Sequence, residues 1–188
     1  PLNYKRRTQK IDSLQNYFEA QSKGTIAAHF IAASKPYIPS TAETATDYIS
    51  NVKANYFQTI DFQDPILQNS NFVTDKFLDY ILRMHFSETP SFQEYRSNID
   101  TVHNAFVNTD LSYQLTVLNA LKETLNTKGY DALAVYLTKS YVLPLALQLD
   151  ATELISSLKG FVRIAVGEKA PNFQIETPKE TTSESLYD

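Results

Sequence analysis

Between Ser91 and Phe106 the apolar residues Phe92, Tyr95, Ile99, Val102 and Phe106 recur at alternating three- and four-residue steps. That spacing places them on one stripe of an α-helix and would scatter them over both faces of a strand. Ser91-Phe-Gln-Glu94 opens the stripe with capping-box spacing: the serine hydroxyl accepts from a free backbone N–H, and the glutamate reaches back to the serine's own N–H. A stripe this apolar must be covered by other elements, and the segments preceding residue 166 offer further helices rather than strands.

The same reading extends along the chain. Tyr4 to Lys23 carries Ile11, Leu14 and Phe18 at helical spacing and runs uninterrupted to Gly24, so one amphipathic helix closed by a glycine is expected. Thr25 is the expected N-cap of a short helix bearing Ile26, Ala27, Phe30 and Ile31, which Pro36 and Pro39 end. Ser40-Thr-Ala-Glu43 predicts a second capping box, opening a helix with Ala45, Tyr48, Ile49, Val52 and Tyr56 on one face. Residues 57–71 contain Pro65 among Asp, Asn and Gln and read as a connecting loop, packed through Ile60, Phe62, Ile66 and Leu67. A helix from about Phe72 to Phe86 presents Phe77, Leu78, Ile81, Leu82 and His85 together.

Asp110 is placed to cap a helix with Leu111, Leu115, Leu118, Leu121 and Leu125, ended by Gly129. Tyr130 to Val142 follows, with Leu133, Tyr136, Leu137 and Tyr141, and Pro144 is expected to stop it. Asp150 and Glu153 predict a third capping box ahead of Leu154, Ile155, Leu158, Phe161 and Val162. No self-similarity holds at a fixed period, which favours an irregular bundle over a tetratricopeptide-type array. The expected fold is therefore all-α: an irregular bundle of seven or eight antiparallel amphipathic helices over residues 1–165, then a short extended segment. Thr177 to Asp188, rich in Thr, Ser and Glu, is expected to be loosely ordered.

The 188 residues include 11 Phe and 12 Tyr and are 43% hydrophobic, enough to build a core without disulfides or metal. A formal net charge of −4 argues against a nucleic-acid surface. The one basic cluster, Lys5, Arg6, Arg7 and Lys10, reads as a solvated helix face, with contact to an acidic partner as the alternative. There is no cysteine, so the chain itself can perform no thiol chemistry and hold no cysteine-ligated zinc. No apolar run approaches the roughly 20 residues that span a bilayer. The chain opens on Pro rather than Met, which reads as a piece of a longer precursor.

Candidate sites are few. His29, His85 and His103 fall on three different predicted helices, none with a carboxylate or second histidine at i+4, so no metal site is expected. Asp61 and Asp64 flank a proline turn where Asp caps backbone groups, and Asp75 with Asp79 falls on a polar helix face. No glycine-rich phosphate loop is present, and neither a catalytic residue nor a cofactor is expected. Tyr37, Tyr113, Tyr130 and Tyr187 lie near predicted helix ends, where rings either mark an interaction surface or pack with the hydroxyl in solvent.

Val166 to Ile175, read Val-Gly-Glu-Lys-Ala-Pro-Asn-Phe-Gln-Ile, changes the pattern to loop and strand. Its Gly167, Ala170, Pro171 and Phe173 resemble the opening of the thioredoxin-like domain of peroxiredoxins and TlpA-type thiol-disulfide oxidoreductases. Ser34 to Pro39, Ile60 to Pro65 and Gly129 to Leu133 resemble the helical region that precedes that domain in envelope TlpA-like proteins. The resemblance implies a helical accessory domain over 1–165 and the start of a redox domain over 166–188. It further implies a complete protein that is a periplasmic or envelope-anchored thiol-disulfide oxidoreductase with a Cys-x-x-Cys pair, and a protein partner that is its thiol substrate or redox partner. No catalytic residue carries over, because neither cysteine is present. A free-standing helical interaction module is the alternative.

Overall fold

A computed structural model describes residues 2–163, together with the two-residue strands Gln174–Ile175 and Glu184–Ser185. The described chain is all-helical apart from that antiparallel pair, in which Gln174 faces Ser185 and Ile175 faces Glu184. The expected start of a redox domain, Gly167 to Phe173, lies outside the described residues, as does most of the Thr177 to Asp188 tail. The chain forms two compact units, divided between Leu121 and Lys122.

In the first unit α1 (Leu2–Ser22) packs on α2 (Ile26–Ala33), followed by α3 (Ala45–Ala54), α4 (Pro65–Gln68), α5 (Phe72–Arg83), α6 (Phe92–Phe106) and the start of α7 (Leu111–Thr127). α4 packs against both α2 and α5, and α5 packs along α6. The core is an aromatic cluster drawn from the 57–71 segment, α5 and α6. Phe77 lies at 4.9 Å between ring centroids from Phe106, 5.5 Å from Phe57 and 5.6 Å from Phe62, while Phe57 lies at 4.8 Å from Tyr80. Such tilted and edge contacts contribute roughly 0.5–1.5 kcal/mol each beyond area burial. Ile99, Val102 and Phe106 of the α6 stripe are buried, while Phe92 at its start is exposed.

Local signals place several helix ends where expected. The Ser91–Glu94 capping box forms with both of its bonds. Asp110 Oδ1 accepts from the N–H groups of Ser112 and Tyr113 at 2.9 and 3.1 Å. Gly129, at φ 82°, ends α7: Tyr130 N–H donates to Leu125 O and Gly129 N–H to Asn126 O. That pairing of bonds requires a left-handed residue at the Gly129 position.

Other ends depart from the expectation. Ser40 does not open α3; Thr44 does, accepting from Asp47 N–H at 3.1 Å. Glu43 is drawn instead to the Tyr37 hydroxyl and the Asn51 amide. Thr25 stands at the N-cap of α2, but its hydroxyl donates to Ser22 O rather than accepting from the helix. The 57–71 loop contains α4, because Asp64 followed by Pro65 supplies a cap and a preset first residue.

In the second unit Pro144 does not stop the helix. α8 (Asp131–Leu137) runs through a π-helical stretch, Thr138–Val142, directly into α9 (Leu143–Gln148). The wider turn, in which Leu143 N–H reaches back to Thr138 O, accommodates a residue with no N–H to give and a ring that would clash in a regular α-turn. Asp150 does not stand at the N-cap of α10 (Thr152–Arg163), a position that falls to Ala151. Asp150 sits at φ 52° and ends α9, with Ala151 N–H donating to Ala146 O at 3.0 Å. α10 packs on α9 and on the π stretch, with Leu158 fully buried. If α8, the π stretch and α9 are taken as one rod, the described residues hold one helix more than the upper expectation of eight, and the addition is α4.

Candidate functional site

Asp64 and His29, a carboxylate and a histidine singled out in the sequence, pair in the structure. Nδ1 of His29, on α2, lies 2.5 Å from Asp64 Oδ2, while Asp64 Oδ1 accepts from Ile66 N–H at 2.8 Å and so caps α4. Burial works to raise the Asp64 carboxyl, but the bonds from His29 and Ile66 outweigh it and hold the group below its ordinary range. The pair lines an open recess of about 230 Å³ with Thr59, Asp61 and small α2 residues. Asp61 Oδ1 accepts from Gln63 N–H at 2.9 Å, the turn role expected of it. Among the described residues no three His, Cys, Asp or Glu side chains converge to hold a metal ion. His29 and Asp64 thus join α2 to α4.

Asp75 and Asp79 do not act together. Asp75 stands in the first turn of α5. Asp79, one-third exposed, accepts from the Tyr56 hydroxyl at 2.5 Å and pairs with Arg83 at 3.1 Å. Burial first, then Asp79, raises the Tyr56 phenol far above its usual range.

His85 lies just beyond α5, its ring edge-on to Tyr95 at 4.4 Å, and both of its ring nitrogens are buried near the Ile81 and Leu82 carbonyls without a well-formed hydrogen bond. Burial lowers its pKa, and Lys53 adds to the effect; the Ile81 and Leu82 carbonyls and Glu94 oppose it. Nearby, Asn98 is fully buried and its amide nitrogen donates to the carbonyls of Tyr80, Ile81 and Met84, closing the end of α5. His103 falls in the last turn of α6. The three histidines are therefore not brought together.

The tyrosines divide. Tyr37 is half-buried, its hydroxyl donating to Glu43 Oε1 at 3.0 Å. Tyr113 has a buried hydroxyl without a partner, and burial pushes its phenol up to about 12. Tyr130 is exposed. Tyr187 lies outside the described residues.

An exposed apolar row lies on α1. Gln15 Nε2 donates to Ile31 O at 3.0 Å and the Tyr4 hydroxyl donates to Pro39 O at 2.8 Å, which fixes the face turned toward the rest of the unit. Ile11, Leu14, Tyr17 and Phe18 remain 43%, 48%, 57% and 51% exposed. With Arg7 and Lys10, both exposed, they follow the spacing i, i+3, i+4, i+7, i+10, i+11 of one helical stripe. Its N-terminal third is cationic and the rest is apolar and aromatic, with Tyr17 and Phe18 edge-on at 5.5 Å. The sequence shows the apolar spacing of Ile11, Leu14 and Phe18, but not that they stay exposed among the described residues.

Among the described residues no helix is long and apolar enough to cross a membrane. No family model, curated protein or solved structure matches the chain.

Proposed function

We propose that the chain is a non-catalytic helical accessory domain of a cell-envelope thiol-disulfide oxidoreductase of thioredoxin-like type, periplasmic or envelope-anchored, and that it docks the protein substrate of the redox domain. The observation that carries the docking role is the exposed α1 row of Ile11, Leu14, Tyr17 and Phe18. Apolar side chains at consecutive helical turns form a contiguous patch, the kind that marks a protein contact rather than scattered surface residues. Arg7 and Lys10 continue the stripe, so the partner of complementary chemistry is a protein with an apolar ridge edged by carboxylates. The redox assignment rests on the resemblance of Gly167, Ala170, Pro171 and Phe173 to the start of a thioredoxin-like domain. With no cysteine, this chain leaves the chemistry to that domain.

A free-standing helical interaction module is the second reading, favoured by the α1 row alone, which needs no redox partner. Thiol titration and disulfide-reductase assay of the complete gene product, alongside this 188-residue chain, separate the two. A redox-active pair of thiols in the complete product, with no activity in the chain alone, is expected. A complete product without reductase activity leaves only the interaction module.

A further inference from the structure

A second concavity in the first unit differs in character from the His29–Asp64 recess. It is a groove of about 230 Å³ walled by Tyr37, Tyr48 and Tyr56, with Lys35 and Lys76 at its edges. The rings of Tyr37 and Tyr48 stand 6.2 Å apart between centroids, inclined at 41°. Two of the three rings are fixed from behind. The Tyr37 hydroxyl donates to Glu43 Oε1 at 3.0 Å, where the Asn51 amide also donates at 2.9 Å, and the Tyr56 hydroxyl donates to Asp79. Burial, with these carboxylates, raises both phenols, so the walls stay neutral and keep their donors turned away from the groove.

The charge that reaches the groove is therefore cationic. No carboxylate lines it, since Glu43 and Asp79 stand behind phenols. The Lys76 ammonium lies 5.7 Å from the Tyr56 ring centroid and 5.5 Å from that of Phe72, and it makes no ion pair among the described residues. Lys35 is held only loosely, 3.9 Å from Glu19 Oε1, with both side chains well exposed. Rigid aromatic walls favour a flat ring at offset or edge-on distance, and an unpaired ammonium beside them favours an anion. The volume falls below the roughly 300–1,000 Å³ of drug-sized sites, which limits the ligand to a single ring.

We propose that this groove binds a small carboxylic acid bearing one planar ring, the ring packed against the wall formed by Tyr37, Tyr48 and Tyr56 and the carboxylate at Lys76. The ligand class follows from the three tyrosines and the lysine alone and does not depend on the redox assignment. The test is a titration of the ¹⁵N-labelled chain with phenylacetate, followed by amide chemical shifts, with phenylacetamide as the neutral counterpart. Saturating shifts centred on Tyr37, Tyr48 and Lys76 are expected, with phenylacetate bound at least tenfold more tightly than phenylacetamide. Lys76→Gln is expected to weaken phenylacetate at least fivefold while leaving phenylacetamide unchanged, a pattern that general loss of structure would not give. Shifts that fail to saturate, equal affinity for acid and amide, or unaltered phenylacetate binding by Lys76→Gln would each overturn the proposal.

Discussion

The Tyr56 hydroxyl donates a 2.5 Å hydrogen bond to Asp79 Oδ2, tying the turn after α3 to the middle of α5. Tyr56 also packs edge-on to Phe57 and Tyr80, so this one residue joins a polar contact to the aromatic core. Tyr56→Phe keeps the ring and removes the donor; a loss of about 1 kcal/mol is expected, because Asp79 is partly solvated and recovers water. Arg83, largely exposed on the same carboxylate, should contribute under about 0.5 kcal/mol. A urea-unfolding cycle over Tyr56→Phe and Asp79→Asn checks the pairing: the double substitution should cost less than the two single costs added together.

His85 sets a pH dependence in the acid direction. Burial, opposed by the Leu82 carbonyl and aided by Lys53, lowers its pKa in the folded protein. The unfolded chain therefore takes up that proton first as pH falls through about 6.5, and the folded state loses stability below that point. The urea midpoint should drop between about pH 7.5 and pH 5, and His85→Gln should flatten that part of the slope. An unchanged slope would place the titration elsewhere.

Tyr113 acts at the alkaline end. Its phenol is raised to about 12 by burial, so its contribution is complete below the ordinary phenol range near 10 and is lost as pH rises toward 12. The hydroxyl is buried without a partner, so Tyr113→Phe should be neutral or should stabilise by up to about 1 kcal/mol. It should also remove a component that rises near pH 12 from the phenolate absorbance titration.

Asp150 ends α9 in a left-handed conformation that L-residues adopt at a cost. Asp150→Gly is expected to raise the unfolding free energy by roughly 0.5 kcal/mol, and Asp150→Val to lower it by about 1–2 kcal/mol. Thermal unfolding of the two variants beside the parent chain checks the sign of each.

The elements legible in the sequence were those fixed by neighbours a few residues apart. The α6 stripe, the Ser91–Glu94 box, the Asp110 cap and the Gly129 end are satisfied within one helical turn or one cap, so spacing alone locates them. Ser40-x-x-Glu43 had the same spacing and failed, because Tyr37 and Asn51 compete for the Glu43 carboxylate. Asp150 carried a cap's composition and became a helix terminator, since Asp tolerates left-handed backbone better than most residues. Pro144 was misleading because the π stretch ahead of it absorbs the clash. His29 meets Asp64 35 positions away and Tyr56 meets Asp79 23 away, separations that no local pattern encodes. The α1 row shows the reverse limit: the spacing of Ile11, Leu14 and Phe18 is plain in the sequence, and only the fold shows that they stay exposed among the described residues.

The docking role of that row is tested most directly by trapping. In the complete gene product, the second cysteine of the expected Cys-x-x-Cys pair is changed to Ser, so that the first holds its substrate as a mixed disulfide. Trapped protein adducts are then compared with and without Leu14→Asp and Phe18→Asp on α1. Discrete adducts are expected that fall at least tenfold in yield with the α1 substitutions, while reduction of a small disulfide by the parent active site carrying the same substitutions is unchanged. Adducts formed equally well without the α1 row, or a gene product with no such cysteine pair, would contradict the proposed function.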